Sequence, residues 1–490
     1  PGTILMTPPR ISFLEKDAAL RYRQARQDHW DMIARGKGDG KSHSAYYHAR
    51  LIELYASLVS PGQKILEIGC GTGDLLASLH PSKGVGVDLS GEMVKQAARK
   101  YPDLTFVQGD AHHLTLDEKY DVIILSDLVN DLWDVQRVFE ELDKVTDTGT
   151  RIIINTYSFL WEIPLLLSQR LGLANPLLPQ NWLTVDDIRN MLNLSGIEAI
   201  RTWPEILIPL NIPGFSTLLN KYLVRLWPFS YLALTNFIIA RKKPAEGERG
   251  RAHIVSVVVP ARNEAGNIDE IIRRTPEMGS GTELIFVEGN SSDNTYDVIE
   301  RAVKAHPERR CKLLKQTGKG KGDAVRLGYR HASGDIFMIL DADMTVPPED
   351  LPRFYDAIAS GQGEFINGVR LVYPMEKQAM QYVNLVGNKF FSLVFSWLLG
   401  QPVKDTLCGT KVLSRQDYVK VSQNRSYFGE FDPFGDFDLL FGAVKQNLKI
   451  VEMPIRYAER KYGTTNIERW RHGWLLLKMT VYAMKKIKFI

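Results

Sequence analysis

Ile336-Phe-Met-Ile-Leu-Asp-Ala-Asp343 decides how the second half of the chain folds. A short apolar run without polar alternation reads as a strand buried on both faces, as in a parallel sheet, and this one ends in two carboxylates one residue apart. Past the strand end the chain turns, so Asp341 and Asp343 can both lean over the carboxyl edge of the sheet, where open α/β sheets bind ligands. Two hard oxygen donors there suit Mg²⁺ or Mn²⁺ holding a diphosphate. An Asp-x-Asp pair alone says little, because common residues recur at that spacing by chance. A second one, Asp436-Phe-Asp438, follows a Gly- and Phe-rich stretch from Phe428 to Gly435. The hydrophobic strand in front sets the first pair apart.

Working outward, strand and helix alternate on the amino side. Ile254 to Ala261 runs into Pro260-Ala-Arg-Asn-Glu264, and Thr282 to Gly289 into Glu288-Gly-Asn290-Ser-Ser-Asp293, whose Ser and Asp can cap the helix that follows. Gly318-Lys-Gly-Lys-Gly-Asp-Ala-Val-Arg326 offers close backbone approach and cations suited to phosphate, without the spacing of a P-loop. On the carboxyl side come Lys404-Asp405-Thr-Leu-Cys-Gly409-Thr-Lys411, then Phe434-Gly-Asp436-Phe-Asp438, then Arg456 to Thr465.

This ordered set resembles the family 2 glycosyltransferases of the GT-A fold, most closely the dolichyl-phosphate mannose synthase-like group that glycosylates polyprenyl phosphates. The resemblance covers residues 254 to 470. It implies a nucleotide-sugar donor among Pro260, Arg262, Glu264, Glu288, Asn290, Lys321, Arg326 and Asp341, with metal on Asp341 and Asp343. It further implies that Asp405, Asp436 and Asp438 position metal or acceptor, while Arg456, Arg460 and Lys461 meet phosphates. The group commonly carries D-D-G-S where this chain has Glu288-Gly289-Asn290-Ser291, which leaves the base open between uridine and guanosine. Processive relatives carry Q-x-x-R-W; the nearest match here, Asn466-Ile-Glu-Arg469-Trp470, has Asn in place of Gln and favours transfer of a single sugar.

The first half alternates in the same way: Lys64 to Gly69, Gly84 to Ser90, Leu104 to Asp110, Tyr120 to Asp127 and Arg151 to Tyr157 read as strands of a doubly wound sheet. The first runs into Glu67-Ile-Gly69-Cys-Gly71-Thr-Gly73. Three glycines at alternate positions allow a tight turn and close ligand approach, either as a dinucleotide loop or merely as a turn. Two acids decide: Asp88 ends the second strand, where a carboxylate accepts both hydroxyls of a ribose, and Asp110 ends the third beside an adenine position. The dinucleotide pattern G-x-G-x-x-G is absent. These residues resemble the class I S-adenosylmethionine-dependent methyltransferases over residues 45 to 243. The resemblance implies that Gly69, Gly71 and Gly73 pass the methionine part, that Asp88 binds the ribose, and that Asp110 and Ala111 bind the adenine. Glu67, Tyr46 and Arg50 join them as cofactor contacts. After the fourth strand, Asp127 or Asp131 either takes a proton from a methyl acceptor or caps the next helix.

At 490 residues two or three domains are expected. Residues 1–45 read as a helical extension, with 1–5 a cloning remnant before a start at Met6; residues 46–243 form the methyltransferase-like domain, 244–252 a charged linker and 253–490 the glycosyltransferase domain. The apolar share of 44%, the charged share of 24% and a net charge of +4 describe a globular protein and give no footprint for nucleic acid. Cys70, Cys311 and Cys408 are too far apart for a zinc site or disulfide framework, as in a reducing cytoplasm. No window reaches the roughly 20 apolar residues of a spanning helix. Two Pro-broken apolar inserts, Phe159 to Trp182 and Ile206 to Tyr231, read either as a lid on the sheet or as a face for a greasy acceptor or a membrane. Phe390 to Leu399 and the stretch from Trp470 to Ile490 suit helices lying in a membrane interface. The whole is expected to be an α/β enzyme of two doubly wound domains, peripheral to the inner face of the cell membrane. It would glycosylate a polyprenyl phosphate and methylate a related sugar or lipid. The alternative is a soluble glycosyltransferase acting on a hydroxyl, with a non-catalytic first domain.

Overall fold

The computed structural model describes residues 13–36, 45–171, 178–245, 253–370, 382–423, 435–456, 462 and 469–489. The chain divides into two compact units, Pro1–Lys243 and Pro244–Ile490.

The first unit carries seven strands, β1 (Lys64–Ile68), β2 (Lys83–Asp88), β3 (Thr105–Gln108), β4 (Val122–Ser126), β5 (Arg151–Tyr157), β6 (Ile197–Glu205) and β7 (Thr235–Lys242). Its helices are α1 (Phe13–Gly36), α2 (Ala45–Leu58), α3 (Asp74–Ser78), α4 (Gly91–Lys100), α5 (Val135–Glu141), α6 (Glu162–Arg170), α7 (Val185–Leu194) and α8 (Phe215–Lys221). The sheet order is β3-β2-β1-β4-β5-β7-β6, with only β7 reversed. Runs such as Val122-Ile-Ile-Leu125 are apolar on both sides because both faces are covered. Leu66, Ile123 and Leu125 feed one core with Ile188 and Leu192 of α7, while Ile65, Val122 and Ile124 feed the other with Leu51 and Leu54 of α2. The charged helix of the N-terminal extension, α1, docks on this unit: its Asp31 carboxylate accepts from Glu92 N–H at 3.1 Å and from Ser90 Oγ at 2.5 Å, at the start of α4.

The second unit has β8 (Ile254–Ala261), β9 (Gly281–Glu288), β10 (Arg310–Lys315), β11 (Ile336–Ile339), β12 (Phe365–Val369), β13 (Lys411–Ser414) and β14 (Ile450–Pro454), ordered β10-β9-β8-β11-β13-β12-β14. Its helices are α9 (Ile268–Arg274), α10 (Thr295–Ala305), α11 (Lys321–His331), α12 (Leu351–Ala359), α13 (Tyr382–Leu399), α14 (Arg415–Gln423), α15 (Asp436–Lys445) and α16 (Arg469–Ala483). The first four strands in that order are mutually parallel, and β13 runs against β11 and β12. Glu283, buried inside β9, accepts from Ser256 Oγ of β8, from Ser333 N–H at 2.6 Å and from Lys312 of β10 at 2.9 Å, so one carboxylate ties three neighbouring segments. α13 is two-sided: Phe395, Leu398 and Leu399 are buried, while Phe390 and Leu393 stand in solvent. α16 repeats the pattern, with Leu476 and Met479 inside and Trp474, Leu477 and Val481 outside. Among the described residues no helix is long and apolar enough to cross a membrane.

Candidate functional site

In the first unit the carboxyl ends of β1, β2 and β4 open on a cavity of about 1910 Å³. Gly69, Gly71 and Gly73 hold φ of 78°, 49° and 77°, in the left-handed region that other residues avoid. At Gly73 a side chain would strike the Phe106 ring, whereas at Gly71 nothing lies within 4 Å, so its backbone is bare toward the cavity. Asp88, at the tip of β2, accepts from Gly71 N–H at 2.8 Å and Ser90 N–H at 2.9 Å; burial raises its pKa, against those two amides. Asp110 accepts from Arg23 of α1 at 3.1 Å and meets His112 Nδ1 at 2.7 Å. Burial works to raise its pKa, but His112 and Arg23 outweigh it and hold the carboxyl at about 2. Ala111 lines the same wall.

Glu67 is the most telling of these groups. Only 2% exposed, with its pKa pushed well up by burial, it keeps one oxygen, Oε2, with no hydrogen bond in the chain. A buried acceptor costs free energy until something donates to it. A cavity-lining carboxylate of this kind fits the cationic amino-acid end of S-adenosylmethionine, so the residues present suit that cofactor.

Asp127 and Asp131 both line the cavity, and neither caps a helix; Asp134 does that for α5. Asp127 sits at φ 53° and accepts from Tyr47 Oη at 2.8 Å and Asn155 Nδ2 at 2.5 Å. Burial lifts its pKa to about 7 in spite of those bonds. Asp131 is engaged by Arg26 Nε at 2.8 Å and Trp30 Nε1 at 2.9 Å. Two expected cofactor contacts fall elsewhere. Tyr46 receives a hydrogen bond from Asn220, and Arg50 pairs with Glu53, both off the cavity lining; neighbours on a helix point about 100° apart, so Tyr47 takes the inward place. Sequence reading missed Arg23, Arg26 and Trp30 of α1, which share one helical face by their spacing of three and four.

In the second unit the strand tips converge as well. Asp341 lies just past β11, where its carbonyl accepts from Met344 N–H in a turn, and its carboxylate pairs with Lys321 Nζ at 2.6 Å. Asp343 accepts from Thr345 N–H at 3.1 Å and Thr345 Oγ1 at 2.7 Å. Gly409 packs so tightly on this pair that a methyl there would overlap both the Asp341 carboxylate and the Lys321 ammonium. Glu264, buried, accepts from Asn267 Nδ2 at 2.9 Å; the same amide donates to Ala342 O at 3.0 Å, joining the β8 tip to the Asp-Ala-Asp turn. Pro260 and Arg262 flank that tip, and Glu288 accepts from Ser291 N–H at the β9 end, beside Asn290 in the left-handed region. Arg326 stands 3.9 Å from Asp438 of α15.

Asp405 does not join them as an available acid. It is buried in a two-pronged pair with Arg370, Nε at 2.7 Å and Nη2 at 2.8 Å, and it also accepts from the amides of Arg370 and Leu407. Burial would raise its pKa, but Arg370 holds it below the ordinary range. Arg456 follows β14 and is exposed. Asp436 opens α15, although its side chain, together with Arg460, Lys461 and Asn466, lies outside the described residues. Among the described residues no group of three or more His, Cys, Asp or Glu gathers around one point. Asp341 and Asp343 are nevertheless hard oxygen donors of the kind Mg²⁺ or Mn²⁺ takes, one or two carboxylates being usual when substrate phosphates complete the shell.

Residues 59–194 match the family model described as a methyltransferase domain, and residues 256–420 match that of glycosyl transferase family 2. The dolichol-phosphate mannosyltransferase of Pyrococcus furiosus is 27% identical over 246 residues, 48% of this chain and 67% of that protein. The undecaprenyl-phosphate 4-deoxy-4-formamido-L-arabinose transferase of Edwardsiella ictaluri is 24% identical over 213 residues, 43% of this chain and 61% of that protein. Among solved structures, magnesium protoporphyrin IX methyltransferase of Synechocystis with bound SAH aligns at 19% identity over 48% of this chain and 90% of that one, with a TM-score of 0.27.

Proposed function

We propose that this chain, in which a methyltransferase domain precedes a family 2 glycosyltransferase domain resembling dolichol-phosphate mannosyltransferases, moves one sugar from a nucleotide-sugar donor to a polyprenyl phosphate at a membrane face. The observation that carries this reading is the Lys321–Asp341 pair under Gly409, tied through Ala342 and Asn267 to Glu264 at the β8 tip. Donor contacts would come from Pro260, Arg262, Glu264, Glu288, Asn290, Lys321 and Arg326. Asp341 and Asp343 would hold Mg²⁺ or Mn²⁺, which supplies charge neutralisation for a departing diphosphate. The acceptor phosphate is anionic near neutral pH and needs no general base. Its oxygen bonds the anomeric carbon as the bond to the nucleoside diphosphate breaks. Lys321 stabilises the leaving charge, Asp438 orients the acceptor, and Arg456 meets phosphate. The names of the curated relatives, which act on dolichol phosphate and undecaprenyl phosphate, support that acceptor class. The apolar outer faces of α13 and α16 support contact with a leaflet from the inner side.

For the first unit we infer S-adenosylmethionine held by the Gly69–Gly73 loop, Glu67, Asp88, Asp110 and Ala111. Asp127 would take the proton of an acceptor hydroxyl whose oxygen gains the methyl group that the cofactor supplies when bound. The test is direct: incubate the protein with labelled nucleotide sugars, polyprenyl phosphate and Mg²⁺ or Mn²⁺. Labelled lipid should form, and Asp341→Ala should lower the rate by a hundredfold or more with the melting temperature held. Full transfer in excess EDTA, or sugar appearing only on soluble hydroxyls, refutes the reading.

A further inference from the structure

More than half of the exposed large apolar side chains among the described residues come from two stretches of the first unit, 159–171 and 210–232. Ile163 is 76% exposed, Trp227 80% and Tyr231 68%, which water makes costly for a surface without a partner. Trp161 Nε1 donates to Leu232 O at 3.0 Å and joins the two stretches, while Asn220 Oδ1 accepts from Leu207 and Ile208 N–H at 2.7 and 2.9 Å and ties the second to the segment before it. They also reach the cavity, whose lining includes Leu165, Gln169, Pro209 and Leu210. At about 1910 Å³ that cavity exceeds the roughly 300–1,000 Å³ of a typical small-ligand site, so room remains beyond one cofactor.

The charges on these stretches are one-sided. Glu162 is their lone acid, against Arg170, Lys221 and Arg225. Arg225 turns inward to buried Glu205, leaving Arg170 exposed and Lys221 partly so, as fringe cations. Short separate segments, α6 in one stretch and the turns parted at Pro213 and Pro228 in the other, with aromatic tips and a basic fringe, match the chemistry of a membrane boundary better than that of a flat self-complementary interface.

We propose that these two stretches dip into an anionic lipid bilayer and rim the mouth of the cofactor cavity, so that the methyl acceptor is a membrane-borne amphiphile whose polar head enters from the lipid side. The acceptor part rests on the methyltransferase reading above; the docking surface does not, and it is separate from the α13 and α16 faces.

The test uses the full chain carrying Cys311→Ser, since Cys70 and Cys408 are buried. An environment-sensitive fluorophore is attached at Ile163→Cys, at Tyr231→Cys, or at Leu194→Cys as a control on α7. Vesicles contain phosphatidylcholine with or without about 30% phosphatidylglycerol, enough anionic lipid to attract surface cations. The labels at 163 and 231 should brighten at least twofold, shift blue and be quenched by spin-labelled lipid on anionic vesicles, while the label at 194 stays as in water. Joint Arg170→Glu and Lys221→Glu should weaken vesicle binding by about tenfold or more. Water-like emission at 163 and 231 from protein that floats with vesicles overturns this surface and leaves the earlier membrane contact standing. Emission that changes with protein concentration alone overturns it in favour of a second copy. Absence of flotation on any vesicle removes both membrane contacts, whereas calorimetry with S-adenosylmethionine judges the methyltransferase reading by itself.

Discussion

Gly409 shows how little room the second site leaves. Because any β-carbon there meets the Asp341 carboxylate and the Lys321 ammonium together, Gly409→Ala should displace both and cut glycosyl transfer at least tenfold, while circular dichroism and melting stay close to the parent. Asp127 makes a different prediction. With its carboxyl at about 7 through burial opposed by Tyr47 and Asn155, methyl transfer should rise tenfold per pH unit below that point and level off above it. Asp127→Asn should leave a slow, pH-flat residue of activity, down about a hundredfold or more. The sign for stability is opposite: the folded carboxyl holds its proton past the ordinary value near 3.9, so its contribution is full below that and is lost as pH rises through about 7. As the proposed base, Asp127 would work where it stabilises least. A chemical-denaturation series from pH 5 to 8 on the parent and Asp127→Asn separates the two effects.

Glu283 deserves the same treatment as a joint among strands. Burial would raise its pKa, yet Ser256, Ser333 and Lys312 hold it at about 2, so its stabilisation is complete above the ordinary value near 4.3 and fades as pH falls toward 2. Glu283→Gln should lower stability by about 2–3 kcal/mol at pH 7, with the gap in urea midpoints shrinking below about pH 4 and closing only toward about pH 2. The strands that build both sheets were legible because period and apolar runs are local properties: Val122 to Leu125 and Ile336 to Ile339 announce themselves. Side chains that act through distant partners were not. Nothing near Asp405 in sequence foretells Arg370, 35 residues earlier, which turns a candidate acid into a buried ion pair. Likewise the choice between Tyr46 and Tyr47 depends on how α2 is rotated against the sheet, which periodicity fixes only roughly, and the docking of α1 beside Asp110 and Asp131 is tertiary. The acids at strand ends, Asp88, Asp110 and Asp341, could be read because strand termini define the ligand edge of such sheets.

Each unit has cores on both faces of its own sheet, so each has the means to melt as a cooperative body. Scanning calorimetry should resolve two transitions. S-adenosylmethionine at a hundred times its dissociation constant should raise one of them by about 5–10 °C, and nucleotide sugar with Mg²⁺ the other. A single transition moved by either ligand would contradict this. The strand order of the first unit also bears on how the protein is made. The last strand to leave the ribosome, β7, takes an inner seat between β5 and β6. Until Lys242 has been synthesised, β6 has no partner and β5 offers the bare edge of Ile152, Ile153 and Ile154 to other chains. A nascent chain paused before Thr235, or a truncation cut at residue 194 where the methyltransferase match stops, therefore exposes an adhesive strand edge. The first unit can close only as the ribosome begins to translate the second.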